Sequence, residues 1–324
     1  MLVSLLLANL LHGLVALIWL AGLRRFAGPL SPRDEARLCA LALVLPVVLA
    51  GTGLIGGPHA YASLLRVDDW ADAIASSSPL VWGALAVLLA GTATIFVAQE
   101  VVPLWIRRRK HWRAPRGRDP RIDAALVRVL QRFAKHGLVH RWGRAPRALR
   151  LDTTAPIAGL VGIAEPTVLI SRGLLEHVDD EKLDAVMAHE LAHSFEGGNL
   201  KLLVLWLVRS LQAPSPAALV LHRSFVQLQE EACDAVAARV TARPLALAEV
   251  LLFVARHASP STKRASSAPP ATVEIPDSSD QFSTRLRVRG LLDRQTENID
   301  ASAFVWVSAK VSATKSDQSF SVPL

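Results

Sequence analysis

Hydrophobic positions in the first hundred residues run together, whereas beyond residue 119 they fall into short stretches with helical or strand spacing. The long runs cover about residues 2–23, 38–57 and 80–98, and each approaches the ~20 residues a helix needs to cross a bilayer. Asn9 and His12 inside the first run fit helix–helix contacts, and Pro46 a kink in the second. Past the runs, Asp119-Pro120 opens a helix to about His136, with Ile122, Leu126, Val129, Leu130 and Phe133 on one face and Gly137 ending it. Three strand-like pieces follow at 148–152, 157–161 and 167–171, separated by Pro and Gly, so a small sheet is expected. Helices are expected over 179–198, 224–240 and 244–257. Between the first two, residues 200–222 form two apolar halves broken by Arg209 and Pro214-Ser215-Pro216, neither long enough to span. They read as a buried helical hairpin or as a segment dipping into the membrane face, in preference to a further pair of spans. Residues 258–280, rich in Ser, Pro and Thr, read as a linker. The tail keeps a helical piece at 285–294 and an apolar run at 303–307 that is too short to cross a membrane.

Composition makes a membrane location more than a matter of three runs. Of 324 residues 51% are hydrophobic, and the mean hydropathy is +0.32, too apolar for an ordinary soluble chain. The net charge of +8 comes from arginines beside the apolar runs, not interleaved with aromatics as in a nucleic-acid groove, so no nucleic-acid partner is expected. The first run lacks a basic start and ends in Arg24-Arg25 where a cleavage site would need small residues, so it reads as an uncleaved anchor. Arg24, Arg25, Arg33 and Arg37 follow the first run and the basic stretch 107–118 follows the third, whereas Asp68, Asp69 and Asp72 lie between the second and third. By the positive-inside rule the N-terminus is outside and everything beyond residue 106 faces the cytosol of a bacterial-type inner membrane. The stretch 107–118 itself reads as an anchor on anionic lipid. Cys39 and Cys233 offer no disulfide framework, which suits a reducing cytosol.

Candidate chemistry lies in His189-Glu190-Leu191-Ala192-His193. Two histidines four apart stand one above the other on a helix, so two imidazoles reach one tetrahedral Zn²⁺ while Glu190 lies beside its open position as a general base. Asp179, Asp180 and Glu181 suit the positive end of that helix, and Gly197-Gly198 its stop. On the later helix Glu230 and Asp234 share a face at i, i+4, where a third ligand and a supporting acid fit. The piece 157–161 (Ile157, Ala158, Gly159, Leu160, Val161) is either a purely structural strand or an edge that pairs with an extended substrate. For the oxyanion, Tyr61 falls in the predicted outer loop, and His222, Arg223 and Arg239 are unranked candidates.

The order PTVLISRGLL, DDEKLDAVMAHELAH, APSPAALVLHRSFVQLQEEACDA resembles the BlaR/MecR-type membrane metallopeptidases over residues 1–257, and more distantly the HtpX-type quality-control proteases. The resemblance implies a gluzincin on the cytosolic side of a helical membrane domain, and with the runs above it gives a mainly α membrane protein: three N-terminal transmembrane helices (1–106), a cytosolic α+β zincin-like metalloprotease domain (107–257) and a linker and tail (258–324). It implies one Zn²⁺ held by His189, His193 and Glu230, Glu190 as base, and Asp234 orienting a ligand histidine. Because Asp234 lies on the Glu230 face, Glu231 is expected to be a surface or packing residue. Gly198 stands where family members often carry an acid, and the penicillin-binding sensor of the transducers has no counterpart before Leu324. Ser312-x-x-Lys315 is a coincidental pattern. The implied activity is endoproteolysis of a repressor-like cytosolic regulator or of the chain itself, with membrane-protein quality control or a non-catalytic metal site as alternatives.

Overall fold

The computed structural model describes residues 2–26, 28, 30–56, 76–102, 115–138, 145–258 and 284–295. Most of the basic stretch 107–118, the acidic loop with Asp68–Asp72 and Tyr61, nearly all of the linker 258–280, the run 303–307 and the Ser312/Lys315 pattern lie outside them.

The expected helices are present with shifted ends. α1 spans Leu2–Phe26 and α2 Pro32–Gly56, with Pro46 inside it. α3 spans Pro79–Phe96 and passes into a π-helical turn, Val97–Val101. Among the described residues α3 with this turn is the helix long and apolar enough to cross a membrane, and little of it is covered by protein.

A short strand β1 (Arg116–Gly117), not expected from the sequence, leads into α4 (Pro120–Lys135), whose N-cap Asp119 accepts from the Arg121 backbone N–H at 3.0 Å. The strands β2 (Arg147–Leu151), β3 (Ala158–Val161) and β4 (Thr167–Ser171) complete a sheet of order β1-β2-β4-β3. β2 and β4 are parallel, with Leu149 opposite Leu169, and β3 is antiparallel to β4, with Gly159 opposite Leu169. β3 therefore lies at an edge. A single turn, α5 (Arg172–Leu175), joins the sheet to α6 (Asp180–Phe195), which Asp179 caps by accepting from Lys182 N–H at 2.8 Å.

Gly197 and Gly198, both with left-handed φ (108° and 59°), reverse the chain into α7 (Gly198–Leu211). α8 then runs unbroken over Pro216–Thr241, because Pro216 stands in the first turn behind the N-cap Ser215, where a missing N–H costs nothing. The segment 200–222 is thus a hairpin whose second arm is the first part of the longer helix, a difference from the separate helix expected at 224–240. α9 (Pro244–Ala258) and α10 (residues 284–295) close the described chain.

Two apolar clusters organise these elements. One joins α4, the sheet, α6, the end of α8, α9 and Leu291 of α10 around Ile122, Phe133, Ile170, Leu183, Met187 and Leu191, all fully buried. The other joins α1, α2, α7 and the start of α8 through Leu20, Leu43, Leu221 and Phe225. The packing therefore crosses the 106/107 boundary read from the sequence. α7 turns Leu200, Leu203, Val204, Leu207 and Leu211 outward as one exposed apolar stripe.

Gly173 in α5 is the described glycine with least room, since a Cβ built on it would meet the Thr154 carbonyl oxygen at 2.0 Å. Gly173→Ala must push that backbone aside and should destabilise by about 1–3 kcal/mol. Thermal unfolding of the detergent-solubilised chain checks this; an unchanged midpoint would show that the loop yields freely.

Candidate metal centre

α6 supplies both histidines from one face, and α8 brings Glu230 against them. His189 Nε2 and His193 Nε2 lie 3.3 Å apart, and each is 3.5 Å from a Glu230 carboxylate oxygen. Bonds of about 2.0–2.1 Å to a tetrahedral Zn²⁺ put ligand atoms roughly 3.3 Å from one another, so the three groups fit one such ion. The helical periodicity that placed His189 and His193 together in sequence thus does so in space.

Asp234, one turn after Glu230 and 3% exposed, points at the other ring nitrogen: its Oδ1 is 2.9 Å from His189 Nδ1. That contact fixes the proton on Nδ1 and leaves Nε2 for a metal. Glu231 turns away and accepts from the Gln227 side-chain amide at 3.0 Å.

The residue that sequence reasoning missed is Arg287. Its Nε and Nη2 donate to the two Asp234 oxygens at 2.7 and 2.8 Å, Nη1 lies 3.0 Å from Glu230 Oε2, and Nη2 is 3.5 Å from His189 Nε2. The sequence signalled a short basic helix at 285–294 but nothing that singled out one arginine. Leu291, one turn on and buried in the core, seats α10 so that Arg287 faces the site. The earlier cation candidates stand elsewhere. His222 and Arg223 face Glu100 and Gln99 at the end of α3, and Arg239 points to solvent from the far end of α8.

Glu190 lies beside the cluster and accepts a hydrogen bond from the backbone N–H of Leu160 in β3. Burial raises its carboxyl above the usual range, countered in part by His189 and Arg287. Asn199, just after the glycine turn, donates to the carbonyls of Leu160 (3.1 Å) and Gly162 (2.9 Å), tying β3 to the start of α7. Of the five edge-strand residues, Ile157 spends both backbone groups on Ser171, its N–H on the hydroxyl and its carbonyl on the N–H. Alternation then turns Gly159 and Val161 toward β4 and leaves Ala158 and Leu160 facing outward.

The electrostatics of the metal-free cluster are unequal. Burial pulls His189 down, but its bonds to Asp234 and Glu230 outweigh this and push it up to about 10. Burial and the charge on His189 push His193 down to about 4. Burial works against the charged form of Glu230 as well, yet its bond to His189 and the nearby cations bring it down to about 2. At neutral pH His189 is thus an imidazolium, and the cluster carries one proton more than the metal-binding form, which a metal must displace. Zinc binding should release about one proton per ion near neutrality, and apparent affinity should rise about tenfold per pH unit below the His189 pKa. Calorimetry in buffers of different ionisation enthalpy measures the release; a pH-independent affinity with no proton released would contradict the assignment.

No curated protein matches the chain. Its residues 149–269 match the family model described as peptidase family M48, a stretch that holds His189, Glu190, His193, Glu230 and Asp234 but not Arg287. The match does not separate the two membrane peptidase types that the sequence resembles. It supports a metallopeptidase, and the segment carrying His189, Glu190, His193, Glu230 and Asp234 is similar to the M48 peptidases.

Proposed function

We propose that the protein is a membrane-embedded, zinc-dependent endopeptidase with a cytosol-facing site that cuts a repressor-like regulator or itself. The observation that carries the reading is the convergence of His189, His193 and Glu230 at tetrahedral spacing with Glu190 and the edge strand β3 beside them.

Zinc, when bound, would polarise a scissile carbonyl and acidify a water. Extended substrate backbone would lie along the outward edge of β3, with Ala158 turning its backbone groups away from β4. Glu190, whose carboxyl is raised toward the working pH, would take a proton from the attacking water and pass it to the leaving amine. Asp234 would hold His189 in its binding tautomer. Arg287, held by Asp234, would put a cation where negative charge builds up on the carbonyl oxygen.

Membrane embedding is favoured by the apolar α3 and by outward-facing Leu14, Ile18 and Trp19 of α1, Leu41, Leu45 and Val48 of α2 and the α7 stripe. At 14 residues α7 is about 21 Å long, short of the ~30 Å hydrocarbon core, so on this reading it lies partway into the membrane and does not span.

Glu190→Gln should keep fold and zinc and lose proteolysis, because an amide of the same shape cannot accept the proton. Mass spectrometry of cellular fragments compares it with wild type: loss of one or a few products fits a regulator, loss of many membrane-protein products a quality-control role, and equal turnover sinks the mechanism. A topology reporter after Gly117 should report cytosol and one near Ala62 the outside; reversed signals would remove cytosolic regulators as substrates.

A further inference from the structure

The two histidines are supported differently. His189 leans on Asp234, which Arg287 clamps. His193 shares Glu230 on its Nε2 side, but among the described residues no carboxylate stands behind its Nδ1. Its Nδ1 faces the sulfur of Cys233 at 3.4 Å, and Cys233 is fully buried. Since His193 Nε2 points into the cluster, the ring proton belongs on Nδ1 and the sulfur accepts it.

What stands behind the sulfur is also built. Gln229, 4% exposed, lies one turn before Cys233 with its amide nitrogen 3.8 Å from Sγ. Its amide oxygen accepts from Lys201 Nζ at 2.6 Å, and Lys201 also donates to the Glu196 carbonyl at 3.0 Å. A lysine can only donate, so it fixes the oxygen of Gln229 outward and the NH₂ toward the sulfur. One face of α8 thus delivers three groups within two turns: Glu230 to the metal position, Cys233 to His193 and Asp234 to His189.

We propose that Cys233 is a positioning residue for zinc binding: buried and backed by Gln229 and Lys201, it accepts the Nδ1–H of His193 and so fixes that ring with Nε2 toward the ion. The sulfur is not a ligand, because it lies behind the ring, on the nitrogen opposite the metal position. The proposal rests on the zinc site of the preceding section.

The test uses the full chain in detergent and reads zinc affinity by competition with a chromophoric chelator. Cys233→Ala removes the acceptor; Cys233→Val removes it while filling the space, which separates the hydrogen bond from packing. Both should bind zinc at least about tenfold more weakly than wild type, the usual scale for loss of an outer partner. Cys233→Ser keeps an acceptor with a shorter reach and should fall between wild type and Cys233→Val. Cobalt-substituted wild-type protein should lack a sulfur-to-metal charge-transfer band. Wild-type affinity in both Ala and Val variants, or a serine variant no better than valine, would overturn the proposal. So would a charge-transfer band that Cys233→Ser abolishes, since the sulfur would then be a ligand. Wild-type protein that takes up no zinc would instead overturn the zinc reading itself.

Discussion

A buried carboxylate at Asp234 is the constraint on which the site depends. An ionised carboxyl taken out of water costs several kcal/mol unless it is paired and its lone pairs are filled. Asp234 meets that demand with His189 from α6 and both donors of Arg287 from α10, three elements far apart in sequence. Burial would raise its carboxyl; Arg287 and His189 more than reverse this and hold it well below the usual range. Losing either partner would leave a charge buried with too few donors, so the carboxylate ties α6, α8 and α10 into one arrangement. The same closure orients the His189 ring, so packing and the proposed metal binding would draw on one contact.

α8 extends that constraint to the rest of the chain. Its first turns pack with α1, α2 and α7 through Ala218, Leu221 and Phe225, and its later turns carry Gln229, Glu230, Cys233 and Asp234 to the site. Where α1 approaches its start, Gly13 leaves little room: an added Cβ would lie 3.4 Å from that of Ala217. A second tie runs from the other end of the hairpin. Arg33 at the start of α2 pairs at 3.1 Å with Glu196, whose carbonyl accepts from Lys201, the residue that fixes Gln229. The apolar bundle and α6 are thus joined by one rigid rod, α8, and by the Arg33–Glu196 pair.

What the sequence made legible follows from range. His189 and His193 were readable because four residues on a helix guarantee proximity, and Glu230 with Asp234 for the same reason. The strands were placed to within a residue at their ends, since Pro and Gly bound them. α8 was cut short because Pro214-Ser215-Pro216 and a change from apolar to polar residues near His222 look like a boundary. The change marks a passage from one cluster to another within one helix. Arg287 was illegible because its partner lies 53 residues earlier and the contact is purely tertiary. The support of His193 was hidden differently: Cys233 stands directly before Asp234 in QEEACDA, but only coordinates show which ring it faces.

The edge strand is the point where local rules and the site's needs compete. An outward residue of an edge strand offers one N–H and one carbonyl to a partner. At Leu160 both are taken, the N–H by Glu190 and the carbonyl by Asn199. Asn199 takes the next outward carbonyl too, at Gly162, so that end of β3 is spent on holding its place. On the proposed reading, pairing by an incoming chain would thereby be confined to the stretch around Ala158, unless the Asn199 amide is displaced. The donation from Leu160 also acts on Glu190, since a hydrogen bond to the ionised carboxylate lowers its pKa and offsets part of what burial raises. The strand that would position a substrate therefore also tunes the group that would act on it, and a shift of β3 would alter both together.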